Sequence, residues 1–223
     1  MGILDETSAK YQELSQRSDR CLVAYSGGKD SMVVLDYAVR YFKEVLAFFM
    51  YWVPDLELQE KALSEAEKRY GIEIVRYPHW LLSRTKREGH YCNRIDDFPD
   101  WSIDDNYEIA MADAGVDFLI TGARAADSPT RRRYIGAHKG KKDHVVYPIV
   151  NWNKYDVLGY LKMRCLPIPD SSGGTATGVD TSIKSLLWLY QNHKADFDRV
   201  AEHFPFIEAV IWKEKFYGQQ QSK

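Results

Sequence analysis

Three cysteines in 223 residues, Cys21, Cys92 and Cys165, are too few and too widely spaced to form a C-x-x-C pair. They cannot supply four thiolates, which excludes an all-cysteine iron–sulfur cluster within one chain, and no iron–sulfur cluster is expected. Unpaired, sparse cysteines are the pattern of a reducing compartment, so the cytoplasm is the expected location. No apolar run reaches 18 residues, which excludes a membrane-spanning helix, and no membrane partner is expected. The first twenty residues, MGILDETSAKYQELSQRSDR, are polar and helix-like, without the apolar centre of a secretory leader. An excess of one charge is missing too: 30 Lys and Arg face 32 Asp and Glu, for a net charge of −2. Near-neutrality gives no support to a general nucleic-acid or membrane-surface role. Two common nucleotide motifs are also absent. The Walker spacing would place Gly at 23 and Ser or Thr at 30, where the chain has Val23 and Asp30. No G-x-G-x-x-G occurs.

What is present alternates. Amphipathic spacing predicts a helix over 3–18, and the apolar run 21–25 a first strand. A helix over about 31–42 is apolar nearly all round, with Asp36 and Arg40 as its expected wet stripe. Residues 45–51 read as a strand buried on both faces, 56–70 as a helix, and 72–77 as a third strand ended by Pro78. Residues 79–101 are less regular. A helix from 103 to 114 leads to a strand at 118–121, and 145–149 makes a fifth strand whose Pro148 argues for an edge. Helices follow at about 155–165, 181–193 and 204–217. The order β-α-β-α-β predicts a three-layer α/β fold, mostly parallel and five-stranded, with the loop after strand one at its centre. The expected division is an α/β domain over 1–170 and a loop and helical extension over 171–223 packed on it.

The loop after strand one is Ser26-Gly27-Gly28-Lys29-Asp30-Ser31. Two adjacent glycines let the backbone approach an anion closely, and the free amides opening the next helix point at it. Lys29 adds positive charge, and Ser26 and Ser31 add hydroxyl donors. A glycine turn carrying a solvated lysine is the plain structural alternative. At the end of strand four the chain reads Gly122-Ala123-Arg124-Ala125-Ala126-Asp127-Ser128-Pro129-Thr130-Arg131. Ligands of open parallel sheets bind outside the carboxyl ends of the strands, where both loops fall. Six Lys or Arg lie from Arg131 to Lys142; a solvated basic face explains them better than a nucleic-acid patch, because only Tyr134 interleaves as an aromatic.

SGGKDS resembles the PP-loop of the adenine nucleotide α-hydrolase-like superfamily, which includes ATP pyrophosphatases and the ATP sulfurylase small subunit. The second loop, with Gly122, Arg124, Asp127-Ser128 and Thr130-Arg131, resembles the phosphoadenylyl-sulfate (PAPS) reductase-like family. So do Pro148-Ile149-Val150-Asn151-Trp152 and Leu166-Pro167. The likeness runs from about 20 to 170. It implies that Tyr25, Ser26, Gly27, Gly28, Lys29, Asp30, Ser31, Tyr51 and Gly122 bind the nucleotide, with Tyr51 or Trp52 against adenine. Lys29, Arg124 and Arg131 are the implied catalytic residues, the two arginines as partners of an acceptor oxyanion. Asp30 either holds Mg²⁺, the expected cofactor, or caps its helix. Asp127 and Asp55 are weaker metal candidates.

The implied activity is that of a transferase or hydrolase that acts at the α–β phosphoanhydride of ATP and releases pyrophosphate. Two alternatives stand beside it. One is a sulfonucleotide reductase-like enzyme using an external thiol, because the reductases' C-terminal Glu-Cys-Gly-(Ile/Leu)-His motif has no counterpart in 200–223. The other is a catalytically idle nucleotide sensor or subunit. A partner subunit is compatible with all three. Cys92, among Tyr, Arg and His, is either a reactive thiol or a small buried side chain. The Ser/Gly/Thr-rich stretch 170–182 is either a lid or a surface connection.

Overall fold

A computed structural model of the chain describes residues 2–138, 144–167 and 181–217. At its centre is β1, Arg20–Ala24, flanked in the sheet by β2, Glu44–Tyr51, and β4, Leu119–Thr121. With β3, Ile74–Pro78, and β5, Val145–Val146, the order is β3-β2-β1-β4-β5. β1 runs parallel to β2 and β4, and β4 parallel to β5. The chain builds outward from β1 through β2 to β3, then returns to the other side of β1 for β4. Between β1 and β4 the connections diverge, and the loops leaving both strands open on the same rim. The three-layer α/β expectation holds. β5 lies at an edge and stops before Pro148, whose missing N–H cannot join a ladder.

The described residues of 1–49, 63–76 and 107–169 form one compact unit. It contains α1, Ile3–Arg17; α2, Lys29–Tyr41; and α7, Lys154–Met163. These pack through aromatics. Tyr37 stacks on Tyr11 at 5.0 Å and on Tyr160 at 4.8 Å. The polar tips of this wall are satisfied: Tyr11 donates to the Val34 carbonyl at 2.9 Å, and Trp152 Nε1 to Thr7 Oγ1 at 2.9 Å. Asn153 starts α7 by accepting from the amides of Tyr155 and Asp156, while Asp156 accepts back from the Asn153 amide.

One expectation fails here. Asp36 is 3% exposed rather than on a wet stripe. It accepts from Tyr160 at 2.6 Å, Arg164 at 3.0 Å and Tyr70 at 3.3 Å. Those three donors offset the cost of burying its charge. They also explain why the phenols of Tyr160 and Tyr70 are raised, by burial first and the carboxylate second.

Residues within 50–62, 77–106 and 170–223 form the other unit. α8, Ile183–Asn192, α9, Lys194–His203, and α10, Ile207–Tyr217, share a core with Trp52, Val53, Leu56 and Cys92. α3, Glu57–Tyr70, begins here with an unusual cap. Asp196, 2% exposed, accepts from the amides of Glu57 at 2.6 Å and Leu58 at 3.0 Å. Arg199 donates to the Asp55 carbonyl, on a residue whose φ of 57° is left-handed. The stretch 79–101 is more regular than expected: α4, Trp80–Glu88, is capped by His79 and ended by Gly89 at φ 69°. α5, Ile103–Ala114, starts in this unit, and α6, Pro129–His138, replaces an expected loop in the first. Ser128 caps α6 by accepting from the Arg131 amide at 3.0 Å, and Pro129 follows as its first residue. That Ser-Pro start is a sequence signal for the helix. The lysines 139–142 and nearly all of the suggested lid lie outside the described residues.

Candidate functional site: a glycine cradle and a chain of five charges

The loop between β1 and α2 turns on Gly27, whose φ of 71° a side chain would strain. Gly28 is the N-cap of α2, and no side chain caps that helix. Its first amides are therefore left for an external acceptor, at the positive end of the helix dipole. The serines stiffen the turn. Ser31 Oγ donates to the Gly28 carbonyl at 2.9 Å, Ser26 Oγ lies 3.2 Å from Ser31 Oγ, and the Gly28 amide reaches Ser26 Oγ at 3.4 Å.

Gly122, leaving β4, is there because nothing larger fits. A Cβ on it would lie 2.7 Å from the Asp30 carbonyl carbon and 2.9 Å from the Ser31 amide nitrogen. This close approach presses the exit of β4 against the first turn of α2 and brings the two predicted loops together. Lys29 is the first residue of α2, and its Nζ lies 2.8 Å from Asp30 Oδ2. Asp30 Oδ1 lies 2.8 Å from Arg124 Nε, close enough for an ion pair though the N–H does not point along a hydrogen bond. Arg124 then binds Asp127 Oδ1 at 2.5 Å, and Asp127 Oδ2 accepts from Arg131 at 3.1 Å. Lys29, Asp30, Arg124, Asp127 and Arg131 thus alternate in sign along one chain of contacts.

The members differ in freedom. Arg124 is 5% exposed, and a third nitrogen, Nη1, reaches the Trp152 carbonyl at 3.4 Å. Each of its three nitrogens lies against a protein oxygen, so it ties the two loops together rather than facing an incoming anion. Arg131 is about half exposed and bound on one nitrogen, which leaves the rest of its fork for an oxyanion. Asp30 does not cap α2, since the cap position belongs to Gly28. Both of its oxygens face cations, Lys29 and Arg124, and among the described residues no group of three His, Cys, Asp or Glu could hold a metal by itself.

Tyr25 closes β1 from inside. Its amide donates to the Phe48 carbonyl at 2.8 Å, and burial, with the charge of Glu65 adding, pushes its phenol up to about 12. It shapes the loop from below as a core residue. In the second unit, Tyr51 ends β2 half-buried, its carbonyl accepting from the His79 amide. Trp52 is not an adenine platform there, because its ring stacks on Phe204 at 4.4 Å and its Nε1 donates to Thr85. Cys92 is the small buried side chain rather than a reactive thiol; burial raises its pKa, against a smaller lowering by Lys86. Cys165 is the exposed thiol.

Residues 20–170 match the phosphoadenosine phosphosulfate reductase domain family. No curated protein matches the sequence. Among solved structures, the chain is similar to the U34-tRNA thiolase NcsA from Methanococcus maripaludis with its [4Fe-4S] cluster. The identity is 17%, over 94% of this chain and 78% of that one, with a TM-score of 0.49. The cluster named for that structure runs against the expectation of no iron–sulfur cluster, which is withdrawn. Counting cysteines excludes only four thiolates from one chain, whereas cluster irons also accept histidine ligands. Among the described residues no group of three or more His, Cys, Asp or Glu could hold a metal ion.

Proposed function

The chain belongs to the phosphoadenosine phosphosulfate reductase domain family, and from that premise we propose that it is a PP-loop enzyme acting on an adenine nucleotide, ATP favoured. It acts at the α–β phosphoanhydride and releases pyrophosphate. The observation that carries this reading is the uncapped first turn of α2 behind Gly27-Gly28, with Lys29 as its first residue. Such a turn supplies backbone amides and one ammonium to the departing pyrophosphate, so its charge is stabilised as the P–O bond breaks. Arg131, with half its fork free, holds the acceptor anion. Arg124 is a positioning residue that keeps Asp30 and Asp127 in place. Catalysis by these groups is placement and charge stabilisation.

The test is pyrophosphate release from ATP by the parent protein and by Lys29→Ala. Losing one charge-assisted contact lowers affinity for the phosphates by about 10- to 100-fold. A Lys29→Ala protein releasing pyrophosphate at the parent rate would sink the assignment. The family match favours a second reading, in which the nucleotide is a sulfonucleotide. The reductases' C-terminal Cys motif has no counterpart in residues 200–223, so in this reading the thiol reductant comes from outside the chain. Calorimetry with ATP, adenylyl sulfate and phosphoadenylyl sulfate separates the two by which ligand binds more tightly.

A further inference from the structure

A cradle built for anions already contains one. Asp30 Oδ2 sits 2.8 Å from Lys29 Nζ, so the loop's only ammonium is engaged before any ligand arrives. The carboxylate cannot readily retreat. Its other oxygen lies against Arg124, which is 95% buried by its 5% exposure, and its backbone is pressed on Gly122 with no room for even a Cβ. Lys29, on a flexible four-carbon stem, is the partner that can move. We propose that Asp30 is a specificity-determining residue that sets a charge threshold on the cradle. The proposal rests on the reading of SGGKDS as the phosphate site.

The physics is competition for one cation. A singly charged anion offers Lys29 no more than the carboxylate it would leave. An anion carrying two to four charges gains attraction in proportion to its charge, and also draws on the free amides of α2. Asp30 therefore discriminates against bicarbonate and monobasic phosphate, in favour of di- and triphosphate chains. Arg124 supports that function by holding Asp30 in place, which is why a buried arginine lies beside a site that it does not face.

Calorimetric titration with orthophosphate, pyrophosphate, tripolyphosphate and ATP tests this on the parent protein, Asp30→Asn and Asp30→Glu. In Asp30→Asn, orthophosphate binding should strengthen and the preference for tripolyphosphate over orthophosphate narrow about tenfold. Asp30→Glu keeps the charge and should keep the preference. If Asp30→Asn does not fold by circular dichroism, Lys29→Gln carries the test: tripolyphosphate binding falls while orthophosphate binding holds. A preference unchanged in Asp30→Asn overturns the inference, as does one lost equally in Asp30→Glu, which would point to packing. A parent protein that binds ATP yet shows either result leaves the phosphate-site reading standing. One that binds neither ATP nor tripolyphosphate overturns both.

Discussion

Asp30 and Asp196 each hold two partners, and each belongs to a different unit of the chain. Asp30, about a fifth exposed, holds the side chains of Lys29 and Arg124. Asp196, 2% exposed, holds the amides of Glu57 and Leu58. Side-chain partners can be exchanged for those of a ligand at modest cost. Backbone amides capped by a buried carboxylate have no other partner in the fold, and leaving them unpaired costs their desolvation. The first arrangement suits a site that must open to an anion, the second a joint that must not. Carboxylates alike in sequence thus separate into function and stability by what they hold.

The largest expected effect falls on the second arrangement. Trp52→Ala removes a ring stacked on Phe204 and a hydrogen bond to Thr85, and should destabilise the protein by about 3–5 kcal/mol. Urea denaturation checks it; a stable Trp52→Ala protein that had lost ATP binding would return the ring to the nucleotide. Asp196→Ala comes next. It strips the cap of α3 at a cost of about 2–4 kcal/mol, while tripolyphosphate affinity measured on the folded protein stays at the parent value. A tripolyphosphate affinity lost with the cap would erase the division between site and joint.

The smallest effect is a pH dependence. His79 caps α4 by accepting from the Leu81 amide on Nδ1, and burial lowers its pKa from 6.5 to about 4. The unfolded chain therefore binds more protons than the folded one between those values, so stability falls as pH drops from 6.5 toward about 4. Protonation at Nδ1 also removes the acceptor of the cap. Thermal melts across this window should show a shallower acid slope in His79→Gln; an unchanged slope would place the sensitivity elsewhere.

Much of the cradle was legible from local pattern. Two glycines between an apolar strand and an apolar helix announce the loop, and Gly122 and Arg124 stand at the next strand end. What local pattern misjudged was burial. Asp36 and Arg40, four apart, look like a wet stripe, yet Asp36 meets Tyr70, Tyr160 and Arg164, which are 34, 124 and 128 residues away. Arg124 reads as an anion partner until Asp30, Asp127 and the Trp152 carbonyl are seen to occupy it. Trp52 reads as a stacking platform until Phe204 lies on it. α6, by contrast, had a signal in Ser128-Pro129 that outweighs the loop-like composition around it.

By itself the sequence determined the alternation of strands and helices, the five-stranded α/β class and the place of the glycine loop. Each of these depends on residues a few positions apart, where backbone conformation and hydrophobic period act. Tertiary structure alone decided which charges are spoken for. A carboxylate or guanidinium takes its role from its partners, and those partners arrive from distant segments only when the chain has folded.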